Sequence, residues 1–125
     1  MTISYASSLK STRMQDVINA IDANAAPAVI EFGTTNMAGI LVTMTLAKPS
    51  FTESGGTITM SGAPRSALAG GAGIAASARI RDGGGNIIVS GLSVGLSGAD
   101  INLNNTNITV GQNVILSSLS LIHSV

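Results

Sequence analysis

The sequence predicts a mainly β fold: an antiparallel β-sandwich of jelly-roll-like type with one N-terminal α-helix. Three observations lead there. From residue 28 onward apolar side chains recur at every second position, the period of a pleated strand, whereas helical spacing is confined to the stretch before Pro27. Gly, Pro, Asn and Asp punctuate that region at intervals of roughly 8 to 12 residues, enough for about seven or eight short strands. Residues 78–91, ARIRDGGGNIIVSG, read as a β-hairpin. Ala78, Ile80 and Asp82 alternate with Arg79 and Arg81, the loop Asp82-Gly83-Gly84-Gly85-Asn86 reverses at little cost, and Ile87, Ile88 and Val89 suit a pleated surface.

Two segments follow from this reading: an arm plus amphipathic helix over residues 1–27, and a β-sandwich over residues 28–125. In the first, Ser7 or Ser8 can cap a helix, because a serine oxygen accepts from the free amides of the first turn. Met14, Val17, Ile18 and Ile21 fall at i, i+3, i+4 and i+7 on one face, with Lys10, Arg13, Gln15, Asp16 and Asn19 mostly on the other. The segment Asp22-Ala23-Asn24-Ala25-Ala26-Pro27 ends the helix. At about 13–16 residues it is marginal alone in water and must pack on a sheet or a neighbour.

The β segment opens with a short strand over residues 28–32. In residues 39–47 Ile40, Val42, Met44 and Leu46 are expected to face the core, opposite Leu41, Thr43, Thr45 and Ala47. Lys48-Pro49-Ser50 breaks the pattern and Phe51 plugs the core. Ser54-Gly55-Gly56 turns into a strand over residues 57–61 with Ile58 and Met60 inward. Residues 62–73 read as a long surface loop open to a partner. A strand starting near Ile74 enters the hairpin, residues 91–98 read as a glycine-punctuated link, and Ile101 and Leu103 mark another short strand. A turn at residues 104–107 and a single last strand over residues 114–123 complete the chain. An up-and-down barrel fits less well, because the loops are unequal.

Composition narrows the function. With no cysteine, disulfides and thiolate metal sites are excluded. Six basic and six acidic residues cancel, and no basic stripe with interleaved aromatics is present, which argues against nucleic acid as a partner. No apolar run approaches the ~20 residues of a membrane span, and the first residues lack the apolar run of a signal peptide. Only 10% of residues are charged, where about 25% is usual. Such a chain covers itself with Ser, Thr, Asn and Gly as a small neutral monomer, or hides surface against other protein; we expect the second.

No constellation carries chemistry. The single histidine, His123, supports neither a triad nor a zinc site. Asp16, Asp22, Glu31, Glu53, Asp82 and Asp100 form no close sequence pair of the kind a dedicated cation site uses. The Asp82–Asn86 motif lacks EF-hand spacing, and Gly70-Gly71-Ala72-Gly73 lacks the Lys-Ser/Thr of a phosphate-cradling loop. No catalytic, cofactor-binding or metal-binding residue is assigned, and the chain is not expected to be an enzyme. The candidate residues are partner contacts: Thr2, Ile3 and Tyr5 on the arm, Arg13 on the helix, Arg65 and Leu68 in the loop, and Arg79 and Arg81 on one strand face. The two last arginines read equally as a solvated or edge-protecting face and as a row that meets a partner's carboxylates.

Three stretches together resemble a group of small tailed-bacteriophage virion proteins of the capsid decoration, or cement, type. They are MTISYASSLKSTRMQDVINAIDA, the hairpin ARIRDGGGNIIVSG, and VGLSGADINLNNTNITVGQNVILSSLSL, and they cover most of the chain. Residues 62–73 are poorer in acidic residues than the pattern of the group, and Ala78 stands where similar proteins often carry an aromatic. The resemblance implies a helix leading into a β domain and no catalytic residue. It also implies the major capsid protein and further copies of the chain (a dimer or trimer) as partners, at the capsid surface of a virion assembled from protein made in the host cytoplasm. The alternative it leaves open is a tail, neck or receptor- or glycan-binding module of the virion.

Overall fold

The structure is a computed structural model that describes residues 5–62, 65–103, 105–117 and 119–122. In chain order its elements are α1 (Ser7–Ile21), β1 (Val29–Gly33), a 3-10 turn (Thr35–Met37), β2 (Ile40–Thr45), β3 (Phe51–Ser54), β4 (Thr57–Met60), β5 (Arg65–Leu68), β6 (Gly73–Ile74), β7 (Ser77–Arg81), β8 (Ile87–Gly95), β9 (Ile101–Asn102), β10 (Asn107–Ile108), β11 (Asn113–Leu116) and β12 (Ser120–Ile122). The fold class is the expected one: mainly β and sandwich-like, with one N-terminal helix.

Helix α1 buries Met14, Ile18 and Ile21, with Val17 packed beside them, as the spacing requires. Its start differs from expectation. Ala6 occupies the N-cap and makes no side-chain cap bond, so Ser7 lies inside the first turn and neither it nor Ser8 caps. The chain before the helix is held back by the Tyr5 ring, which lies 5.4 Å from the Arg13 guanidinium carbon. At the other end the Asp22 N–H donates to the Ile18 carbonyl, and the Asp22 carboxylate accepts the Ser50 N–H at 3.0 Å. That bond ties the helix end to the loop between β2 and β3.

A curled five-stranded sheet runs in the order β2-β1-β7-β8-β9, antiparallel except for the β8–β9 pair. Three smaller pieces accompany it: β12-β4-β3, β11-β5 and β10-β6. One core joins them. It takes Ile18 and Ile21 from the helix, Ile30, Phe32, Met44 and Ile80 from the large sheet, and Phe51, Ile58, Leu116 and Leu119 from the smaller pieces. The β3–β4 hairpin turns on Gly55 and Gly56, both at positive φ (62° and 90°), a region that glycine enters without steric cost.

Several boundaries correct the sequence reading. Residues 62–73 are not all loop, since they contain β5, which pairs with β11. Residues 91–98 are not a link, since β8 continues to Gly95 and meets β9 there. The strand near Ile74 is a separate two-residue piece, and β7 starts at Ser77. The single last strand is two, β11 and β12, in different sheets, and the break reverses the inward phase, so that Leu116 and Leu119 are both buried. His123 lies outside the described residues. In β2 Leu41 is buried and Ile40 exposed, the reverse of expectation. Gly33 pairs with Ile40 and Phe32 with Val42, so Leu41 is an extra residue in a bulge. Its side chain lies against Gly71 and Gly73, and its carbonyl accepts the N–H groups of Gly70 and Gly71 at 2.9 and 3.2 Å.

Among the described residues no helix is long and apolar enough to cross a membrane.

Candidate functional site

The two arginines of the hairpin do not lie on an edge. Strand β7 sits between β1 and β8, so protection of an edge strand is not their role. In the β1–β7 register Arg79 stands opposite Glu31, and cross-strand neighbours on one face are close enough for an ion pair. Arg79 Nε donates to Glu31 Oε1 at 2.7 Å, and Arg81 Nη1 approaches both Glu31 oxygens at 3.5 Å. Glu31 is only 8% exposed, and the two guanidinium groups are what make its burial tolerable. Arg81 is further occupied by the turn, where its Nε and Nη2 donate to the Gly85 carbonyl. Next to it the buried Asp82 carboxylate accepts the N–H of Gly84 and of Asn86, both at 2.9 Å. These bonds, the Asn86 N–H first, hold its pKa below the ordinary 3.8 against an opposing push from burial.

A groove of about 490 Å³ opens on the Arg79 side of the hairpin, between the 3-10 turn and β8. A second, of about 380 Å³, lies between α1, β8 and β12 and is lined mainly by Met14, Val17, Val89, Leu121 and Ile122.

The other candidate surface is apolar. Leu68 is 69% exposed, Val110 69% and Ile115 41% on and beside the β5–β11 ribbon, and Ile74 on the separate β6–β10 ribbon is 57% exposed. Leu68 pairs with Asn113 and Ser66 with Ile115, so Leu68 and Ile115 are diagonal neighbours on one outward face. The Gly111 N–H donates to the Ala69 carbonyl, which brings the Val110 turn to the end of β5.

The expected contact residues are therefore dispersed. Thr2 and Ile3 lie outside the described residues. Tyr5 and Arg13 lean on each other at the helix start. Arg65 is spent on β2, its Nε and Nη2 donating to the Thr45 carbonyl at 3.1 and 2.7 Å. Leu68 does face outward. Sequence reasoning missed Ile74, Val110 and Ile115. The alternation of residues 113–116 placed Ile115 opposite Val114 and Leu116 but could not say which set faces out. It also missed Glu31 as the partner of the arginines, because that pairing spans 48 residues.

The remaining carboxylates mostly hold backbone. Asp22 accepts from Ser50, Glu53 from the Gly56 N–H at 2.8 Å, and Asp100 from the Ser93 N–H at 2.9 Å. Among the described residues no three His, Cys, Asp or Glu side chains converge to hold a metal ion. Compared with known proteins, the chain has no significant match to a family model, a curated protein or a solved structure.

Proposed function

We propose that this chain is a structural virion protein of a tailed bacteriophage: a capsid decoration, or cement, protein that binds the outer face of the head. The observation that carries the reading is the outward apolar pair Leu68 and Ile115 of the β5–β11 ribbon, with the exposed Val110 turn at its end, on a chain with only 10% charged residues. Large apolar side chains gathered on a thinly charged surface mark a site for other protein. Burying them releases about 25 cal/mol per Å², and repetition by symmetry on a closed shell multiplies a modest contact. The sequence resemblance described above supports the same reading. The partners are the major capsid protein and further copies of this chain, met on the capsid surface after synthesis in the host cytoplasm.

The test is the copy number of the chain on purified particles, read with labelling by microscopy. A number on the order of hundreds, with label over the whole icosahedral surface, is expected of a shell component. A handful of copies at one vertex or along the tail overturns the decoration reading in favour of a neck, tail or receptor-binding part. Deletion of residues 1–6 is expected to lower occupancy on particles; unchanged occupancy removes the arm from the interface.

A further inference from the structure

Three departures from regular geometry converge on the groove beside Arg79. The first is its rim. Asn36 and Met37 both have φ of 58°, and a side chain as large as methionine's enters that region only when its surroundings impose it. Here Ser77 does so: its Oγ donates to the Thr34 carbonyl at 2.7 Å and accepts the Met37 N–H at 3.1 Å. The second is a bulge. Ala78 pairs with Leu92 and Ile80 with Val89, so Ser90 and Gly91 together oppose the single Arg79. Bulges of this kind re-aim side chains beside binding sites. The third is Arg79 itself. Its Nε is spent on Glu31, yet neither Nη has a partner among the described residues, although the side chain is only 22% exposed. Neither Nη is buried without a partner, so the fork opens to water and can exchange that water for an acceptor.

The surroundings select the acceptor. Asn36, Ser77, Ser90 and Ser93 line the groove with Arg79. The Ser77 and Ser93 hydroxyls already donate to the Thr34 carbonyl and the Asp100 carboxylate, so the Ser90 hydroxyl and the Asn36 amide are the side-chain donors left for a ligand. Two guanidinium groups face one carboxylate at Glu31. Asp100, bonded to the Ser93 N–H and hydroxyl, does not line the groove. We propose that this groove binds a carboxylate, held by the Nη fork of Arg79, with the Ser90 hydroxyl beside it. A planar fork matches the two oxygens of a carboxylate. A phosphate dianion would call for a second cation, and no lysine and no other arginine lines the groove. At about 490 Å³ the space exceeds a free acetate, so it suits a Glu or Asp side chain carried on an extended segment of another protein. This site is separate from the apolar ribbon face and stands whether or not that face binds a capsid.

The experiment uses the full chain, 15N-labelled, titrated with sodium acetate, with a terminally blocked pentapeptide bearing one Glu, and with the same peptide bearing Gln. Saturable amide shifts at Asn36, Ser77, Arg79, Ser90 and Ser93 are expected with acetate and with the Glu peptide but not with the Gln peptide. An affinity for the Glu peptide about tenfold above that for acetate identifies a protein side chain as the source; equal affinities identify free carboxylates. Ser90→Phe fills the groove without touching the Arg79–Glu31 pair and is expected to abolish the response in a folded protein. Arg79→Lys is expected to weaken it several-fold, because an ammonium cannot offer the fork. Equal shifts with the Gln peptide, an undiminished response in Ser90→Phe, or no saturable shift at all overturns the proposal.

Discussion

The Asp82 carboxylate closes the β7–β8 turn by accepting two backbone N–H groups and, at 3.2 Å, the Asn86 side-chain amide. All of these bonds favour the charged form, so the folded-state pKa lies below the unfolded 3.8. The stabilisation is therefore fully present above that value and is lost as pH falls through the lower folded value. Asp82→Asn is expected to lower the melting temperature at pH 7 and to flatten the loss of stability below pH 3.8, as acid titration followed by circular dichroism can check. The neighbouring Gly83 is required for space. A Cβ there would run into the carbonyl oxygen of Ala26, which is backbone and cannot swing away. Gly83→Ala is expected to cost about 1–3 kcal/mol in urea unfolding, the usual cost of overpacking.

Among the elements, α1 is the one with an evident local defect. Its N-cap is Ala6, which makes no side-chain cap bond, and no acidic residue stands in its first turn. Packing of Met14, Ile18 and Ile21 holds the helix despite this. Ala6→Asp supplies both a cap acceptor and a charge at the positive end of the helix dipole. It is expected to raise stability by about 1 kcal/mol, measured by urea unfolding at low salt. The same comparison in high salt separates the two contributions, since only the dipole part is screened.

For the molecule as a whole, the exposed face of the β5–β11 ribbon is notably apolar. Leu68 and Ile115 project outward and hold nothing in the core, so Leu68→Ser with Ile115→Ser is expected to change unfolding free energy by less than about 1 kcal/mol. Under the proposed function, the chain is expected to self-associate in sedimentation measurements, and the same pair of changes is expected to abolish that association and to reduce occupancy on particles. Unchanged association would move the interface elsewhere.

Legible in the amino-acid order were the helix and its buried face, the β character from residue 28 onward, the hairpin and its Asp82–Asn86 turn, and the inward Ile58 and Met60. Each of those follows from a local rule: a 3.6 or 2.0 period, or the conformations open to Gly, Asn and Asp. Tertiary structure alone decided the rest. It put Glu31 between two arginines, placed β7 at the centre of a sheet, split residues 113–122 between two sheets, and turned Leu41 inward through a bulge. These outcomes depend on strand order and on contacts between residues tens of positions apart. A period along the chain records which side chains share a face, but not which neighbour covers it.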